Sequence, residues 1–218
     1  MTADTRQRAK RPVGRPRQYA ADTEREMIFD AAYASIRDSV DRPVPIADIL
    51  SAAGVSTRAF YRHFQSKDEL LCAMYRRDAV RAAARLVQRM EEATSSTEAV
   101  ERWIDGILGF MQAEATAERV TVLGTIVANR AEGSEAVARE SRELLIAPLR
   151  TAVEDGARRG EFTGLDPVAD AQMVASVVFS AAGLTGGGAS VSSARLSRAA
   201  VHSFCFRALT ATPKADRR

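Results

Sequence analysis

Two histidines, His63 and His202, and two cysteines, Cys72 and Cys205, are the only such residues in the 218-residue chain. No further His or Cys lies at metal-ligand spacing, so no metal site is expected. No nucleophile elbow or metal-ligand motif accompanies them, so the chain is expected not to be an enzyme and to need no cofactor. The triple glycine Gly186-Gly187-Gly188 lacks both the preceding strand and the Gly-Lys-Ser/Thr ending of a phosphate loop, and reads as an interhelical loop. The residues that do suggest a joint chemistry are basic. No acidic residue occurs from Ile49 to Lys67, while Arg58, Arg62 and Lys67 all carry positive charge. Unopposed guanidinium and ammonium groups at this density suit hydrogen bonding to phosphates and base edges.

The charge is unevenly spread. Residues 1–20 hold one Lys and five Arg against one Asp, although the whole chain carries only +3. The rest is therefore slightly acidic, and a basic arm on a near-neutral body points to an anionic polymer, nucleic acid or acidic lipid. Within the arm, Pro12-Val13-Gly14-Arg15-Pro16-Arg17 has a Gly-Arg-Pro core similar to an AT-hook. Such a stiffened segment can place Arg15 and Arg17 in a narrow A·T-rich minor groove. The arm has no apolar stretch behind it and does not read as a secretory signal. No run of about 18 apolar residues exists, so no membrane partner is expected. Two distant cysteines are no disulfide framework, which fits a reducing cytoplasm.

The elements that position these residues read as helical nearly throughout. Ala, Arg, Glu and Leu dominate, and no period-two alternation appears. A first helix is predicted from Thr23, because Thr23-x-x-Glu26 forms a capping box; Ile28, Ala31, Ala32 and Ile36 then share one face. A second helix runs through IADILSAA and stops at Gly54, suited to a left-handed C-terminal position. Ser56 caps a short third helix, TRAFYRHF, and Ser66-x-x-Glu69 opens a long fourth helix to about Met90. Further helices are predicted at about 97–113, 117–130, 134–158, 167–184 and 192–210.

Two short helices joined through Gly54-Val55-Ser56 have the proportions of a DNA-binding helix-turn-helix. Phe60 and Phe64 form the inward face of the second helix, leaving Thr57, Arg58, Tyr61, Arg62 and His63 outward or flanking. The run IFDAAYASI…VPIADILSAAGVSTRAFYRHFQSKDELL resembles the DNA-binding region of the TetR family, the tetracycline-repressor-like regulators, over roughly residues 24–71. AGVSTRAFYRHFQSKDELL is its most specific part. The chain departs from the family around Val40-Asp41, where a small or Gly turn is usual, and at Pro45, which stands in place of a capping Thr or Ser.

The resemblance implies an all-α protein: an N-terminal three-helix DNA-binding domain with a helix-turn-helix, and a C-terminal helical ligand-binding and dimerisation domain. The expected division is a flexible arm at 1–20, the DNA-binding domain at 21–68 and the effector and dimer domain at 69–213. Thr57, Arg58 and Arg62 would approach base edges in the major groove. Ser56, Tyr61, His63 and Lys67 would hold phosphates, which set register rather than sequence. Tyr61 as a packing residue and His63 as an internal hydrogen-bonding group stay open readings.

In the body, Val100, Trp103, Ile107, Phe110 and Met111 make one apolar stripe. With Ile126, Leu145, Met173 and Val177 they either form core or surround a pocket for a small hydrophobic effector. Binding there would shift the population away from the DNA-competent state. Val174, Val178, Ala181, Ala182 and Phe204, on the last two helices, are the expected interface of a homodimer, which would require a pseudo-palindromic operator in double-stranded DNA. A ligand-released repressor is the implied function. An architectural DNA-binding protein, using the arm with little sequence preference, is the alternative.

Overall fold

The computed structural model describes residues 20–38, 44–110, 134–164, 166–184 and 196–210. Among these the fold is all-α, as the sequence predicts. The helices are α1 (Ala21–Arg37), α2 (Ile46–Ala53), α3 (Thr57–His63), α4 (Lys67–Glu91), α5 (Ser96–Phe110), α6 (Ser134–Arg159), α7 (Pro167–Ala181) and α8 (Arg198–Thr210). The basic arm with Arg15 and Arg17, the helix expected at 117–130 with Ile126, Met111, and the triple glycine all lie outside the described residues.

Local chemistry explains most of the boundaries. Gly54 ends α2 at φ 64°, and the Val55 and Gly54 amides donate to the carbonyls of Leu50 and Ser51. This is the paired closure that a left-handed residue permits at a helix end. Ser56 Oγ accepts from Ala59 N at 3.2 Å to start α3, and Ser66 Oγ accepts from Glu69 N at 3.1 Å to start α4. Pro45 sits at the N-cap of α2 and supplies no side-chain bond. In α7, Pro167 occupies the first turn while Asp166 accepts from the amides of Val168 and Ala169.

The first helix differs from expectation. It begins at Ala21, two residues before Thr23, and its N-cap Ala20 makes no side-chain bond. The capping box does not form because Thr23 lies inside the helix rather than at its N-cap, and Glu26 pairs with Arg77 of α4.

Two hydrophobic cores result. The head core joins α1, α2, α3 and the start of α4 through Ile28, Ile49, Phe60, Phe64, Leu70 and Met74. The body core joins the rest of α4 to α5 through α8 around Leu86, Trp103, Ile107, Leu149, Val178 and Cys205. Helix α4 contributes to both, with its most extensive packing against α6. The sequence-based boundary at residue 68 therefore falls one residue inside a continuous helix that the two cores share.

Candidate nucleic-acid interface

Helix α3 is two turns long and has two unlike faces. Ala59 and Phe60 are buried, and Phe60 packs edge-on and tilted against Tyr61 and Phe64. Ser56, Thr57, Arg58, Tyr61 and Arg62 are exposed. Burial of Ala59 and Phe60 anchors the helix, and the positions one step either side along it must then face out. Tyr61 keeps 56% of its surface exposed, so its ring is only in part a packing element. Arg58 is exposed and has no hydrogen-bond or ion-pair partner among the described residues.

Besides Ser56, whose hydroxyl caps α3, three of the predicted residues are already engaged. Arg62 Nη2 donates to Glu24 Oε2 at 2.8 Å, and His63 Nε2 lies 3.0 Å from the same oxygen. Glu24, on α1, is only 5% exposed. The hydrogen bond from His63 first, and that from Arg62 next, hold its carboxyl below the usual carboxylate range, outweighing the desolvation that opposes them. His63 is thus largely an internal partner, and Arg62 reaches from a buried carboxylate to the surface. Lys67, in the first turn of α4, donates through Nζ to the Val44 carbonyl. That bond ties α4 to the residue leading into α2.

Sequence reasoning missed Glu24. Its partners lie 38 and 39 residues away, beyond the reach of any local pattern. A signal was nevertheless present: Glu24 falls on the helical face of Ile28, Ala31 and Ala32, all buried. An acid on an apolar face needs a partner. The head is further fastened to α4 by Tyr33, whose hydroxyl donates to Asp78 Oδ1 at 2.9 Å, and by the Arg77 guanidinium over the Phe29 ring.

The residues proposed for a pocket are dispersed. Trp103 and Ile107 are fully buried in the body core, with Phe110, Leu145 and Val177 partly buried against it. Met173 lies on the outer side of α7, 58% exposed. A separate open cleft of about 460 Å³ lies between α4, α5 and α6, lined by Val87, Met90, Ala99, Pro148 and Thr151 among others. Of the residues proposed for the dimer interface, Val174, Val178 and Ala182 pack in the chain's own core, Ala181 packs against it, and Phe204 is 50% exposed. The outward apolar residues of α7 and α8 are Val168, Met173 and Phe204. His202 instead binds Asp105 of α5 at 2.8 Å, as does Arg198. Cys205 is buried, which pushes its thiol up to about 11 and leaves it protonated. Among the described residues no group of three or more His, Cys, Asp or Glu could hold a metal, and no helix is long and apolar enough to cross a membrane.

Residues 28–74 match the profile of the bacterial regulatory proteins of the tetR family. The resemblance read from the sequence is borne out over that stretch, which contains α2, α3 and the start of α4. No curated protein matches the chain. Solved structures with the same fold include a TetR transcription regulator from Haloarcula marismortui, at 18% identity and TM-score 0.69 over 88% of this chain and all of that one. Reduced Escherichia coli NemR is 19% identical, with TM-score 0.65 over the same share of this chain and 100% of its own. Bacillus subtilis FadR, solved in complex with stearoyl-CoA, is 16% identical, with TM-score 0.64 over 85% of this chain and 97% of that one. The chain shares its fold with these proteins.

Proposed function

We propose that this chain, whose residues 28–74 place its head with the tetR family of bacterial regulatory proteins, is a sequence-specific DNA-binding repressor released by a small hydrophobic effector. The single observation that carries the reading is the division of α3: one face pinned by Ala59 and Phe60, the other presenting Thr57, Arg58, Tyr61 and Arg62 to solvent. A two-turn helix so fixed enters a major groove by its N-terminal end. Arg58, with no partner among the described residues, is the main reader. Its fork fits the O6 and N7 acceptors of guanine, and Thr57 suits a thymine methyl. In this reading Ser56, Tyr61 and Lys67 hold the flanking phosphates, and His63 acts through Glu24 rather than on DNA directly. The arm adds Arg15 and Arg17 in the minor groove.

The effector reading rests on the apolar body, in which Phe110, Leu145 and Val177 pack partly buried against the core. Stearoyl-CoA bound by a protein of the same fold supports an apolar ligand in a body of this kind. The exposed Val168, Met173 and Phe204 on α7 and α8 are the large apolar side chains that pairing of two copies could cover. A homodimer would then meet a pseudo-palindromic operator. The working compartment is the cytoplasm, at the nucleoid when DNA is bound.

Footprinting of the full chain on genomic DNA tests this reading. Discrete protected sites are expected, lost in Arg58→Ala, which should remove about 1–3 kcal/mol of discrimination. Uniform affinity across sequences, unchanged by that substitution, would leave the architectural reading in its place. Removal of residues 1–18 should weaken binding and flatten its salt dependence by about 0.9 in logarithmic slope per lost phosphate contact.

A further inference from the structure

We propose that Glu24 is a positioning residue for sequence reading: it holds Arg62 in the orientation from which that guanidinium meets a base edge. The inference rests on the reading of α3 as the helix that enters the groove.

The geometry has three parts. Oε2 of Glu24 takes both the Arg62 and the His63 bonds, at 2.8 Å and 3.0 Å. The Glu24 side chain is 7% exposed, whereas that of Arg62 is 40% exposed. Arg62 therefore runs from a buried anchor to open surface. One of its five N–H donors is committed to Glu24, and four remain for DNA. An arginine already held loses less freedom when it docks, and its fork is presented in one orientation rather than many. His63, 9% exposed, fixes the other side of the same carboxylate and so ties the end of α3 to α1.

Charge separates this role from two simpler ones. A residue serving DNA affinity alone would not be acidic, because a carboxylate beside the reading face repels phosphates. A residue serving only to hold the head together would have no influence on which base is preferred. A positioning residue makes an unusual combined prediction: its neutralisation keeps or raises affinity for arbitrary DNA while lowering selectivity.

The experiment is selection of bound sequences from a randomised duplex library with the full chain, using wild type, Glu24→Gln, Glu24→Ala, Arg62→Ala and the Glu24→Gln/Arg62→Ala double variant. Affinity for one scrambled duplex and thermal unfolding are measured for each. Glu24→Gln should flatten base preference by about tenfold at the positions that Arg62→Ala also flattens, with no added loss in the double variant. Its affinity for the scrambled duplex should stay equal or rise. Glu24→Ala, which removes the acceptor altogether, should flatten the same positions at least as much. Unchanged preference in folded Glu24→Gln and Glu24→Ala overturns the proposal. So does flattening at positions that Arg62→Ala leaves intact, or unfolding of both variants at the assay temperature, which would make the carboxylate structural. Failure of the wild type to enrich any sequence would instead remove the DNA-reading function itself, and this role with it.

Discussion

The indole of Trp103 donates its Nε1–H to the carbonyl of Leu145 at 2.9 Å, three residues before Pro148 in the middle of α6. Proline has no N–H and its ring crowds the carbonyl four residues earlier, so a helix is poorest in internal bonds over the turn that precedes it. Trp103, on α5, donates from outside to the carbonyl adjacent to that of Leu144, the one Pro148 leaves without its helical donor. It also packs against Phe179 of α7 at 5.9 Å between ring centroids. One buried side chain thus joins three helices.

Trp103→Phe keeps a ring but removes the donor and part of the volume. It should destabilise the body by about 1–3 kcal/mol, combining a lost buried hydrogen bond with a small void. Urea unfolding followed by circular dichroism measures this. An unchanged midpoint would mean that water or a backbone shift replaces the indole at Leu145.

Gly156 is a second sensitive point. A methyl group there would stand 2.3 Å and 2.4 Å from two Phe162 ring carbons and 3.0 Å from Ser96 Cβ. Phe162 is itself buried, its position fixed by the turn in which Glu161 and Phe162 amides donate to the Gly156 carbonyl. Gly156→Ala should cost about 1–3 kcal/mol through overpacking, despite alanine's better helix propensity. Adding Phe162→Leu should recover part of the loss. A stabilised Gly156→Ala in thermal melting would show that the Phe162 ring moves aside freely.

Acid should loosen the start of α5. Glu98 accepts from the Thr94 amide and hydroxyl and pairs with Arg102, which together lower its carboxyl from 4.5 to about 2. Glu161 accepts from the Thr97 and Ser96 amides at the same helix end and is also lowered. Both groups bind protons less readily folded than unfolded. Their stabilisation is therefore complete above the unfolded value and disappears as pH falls through the folded one. Melting temperature should decline between about pH 4.5 and 2, and Glu98→Gln should flatten that decline. A decline of equal steepness in Glu98→Gln would place the acid sensitivity elsewhere.

The helix ends were legible where a cap lies within three residues of its target, as at Gly54, Ser56 and Ser66. Phe60 and Phe64 were also legible as an inward pair, because a helix repeats its faces every three to four residues. The first helix shows where that reading stops. Thr23 and Glu26 satisfy a local capping rule, but Arg77 is 51 residues away and takes Glu26 for itself. His63 and Arg62 take Glu24 in the same manner. Contacts across such separations depend on how helices cross, which no spacing within one helix encodes. The small valines and alanines of α7 illustrate the same limit. Val174 and Val178 satisfy the pattern of a helix that packs closely, but the pattern does not say whether the neighbour is the chain itself or a second copy.

Helix α4 enters the head core at Leu70, Leu71 and Met74 and the body core at Leu86. Met74 and Leu86 are separated by about three turns, roughly 18 Å of continuous helix. Head and body are therefore locked in phase as well as in distance. One residue added between these two anchors would advance the body by only about 1.5 Å but rotate it by about 100° relative to the reading face. In the pair proposed above, such a change would turn the two α3 faces away from a shared side of a duplex. The length of this segment is therefore a phasing element: it sets the angle between the two cores.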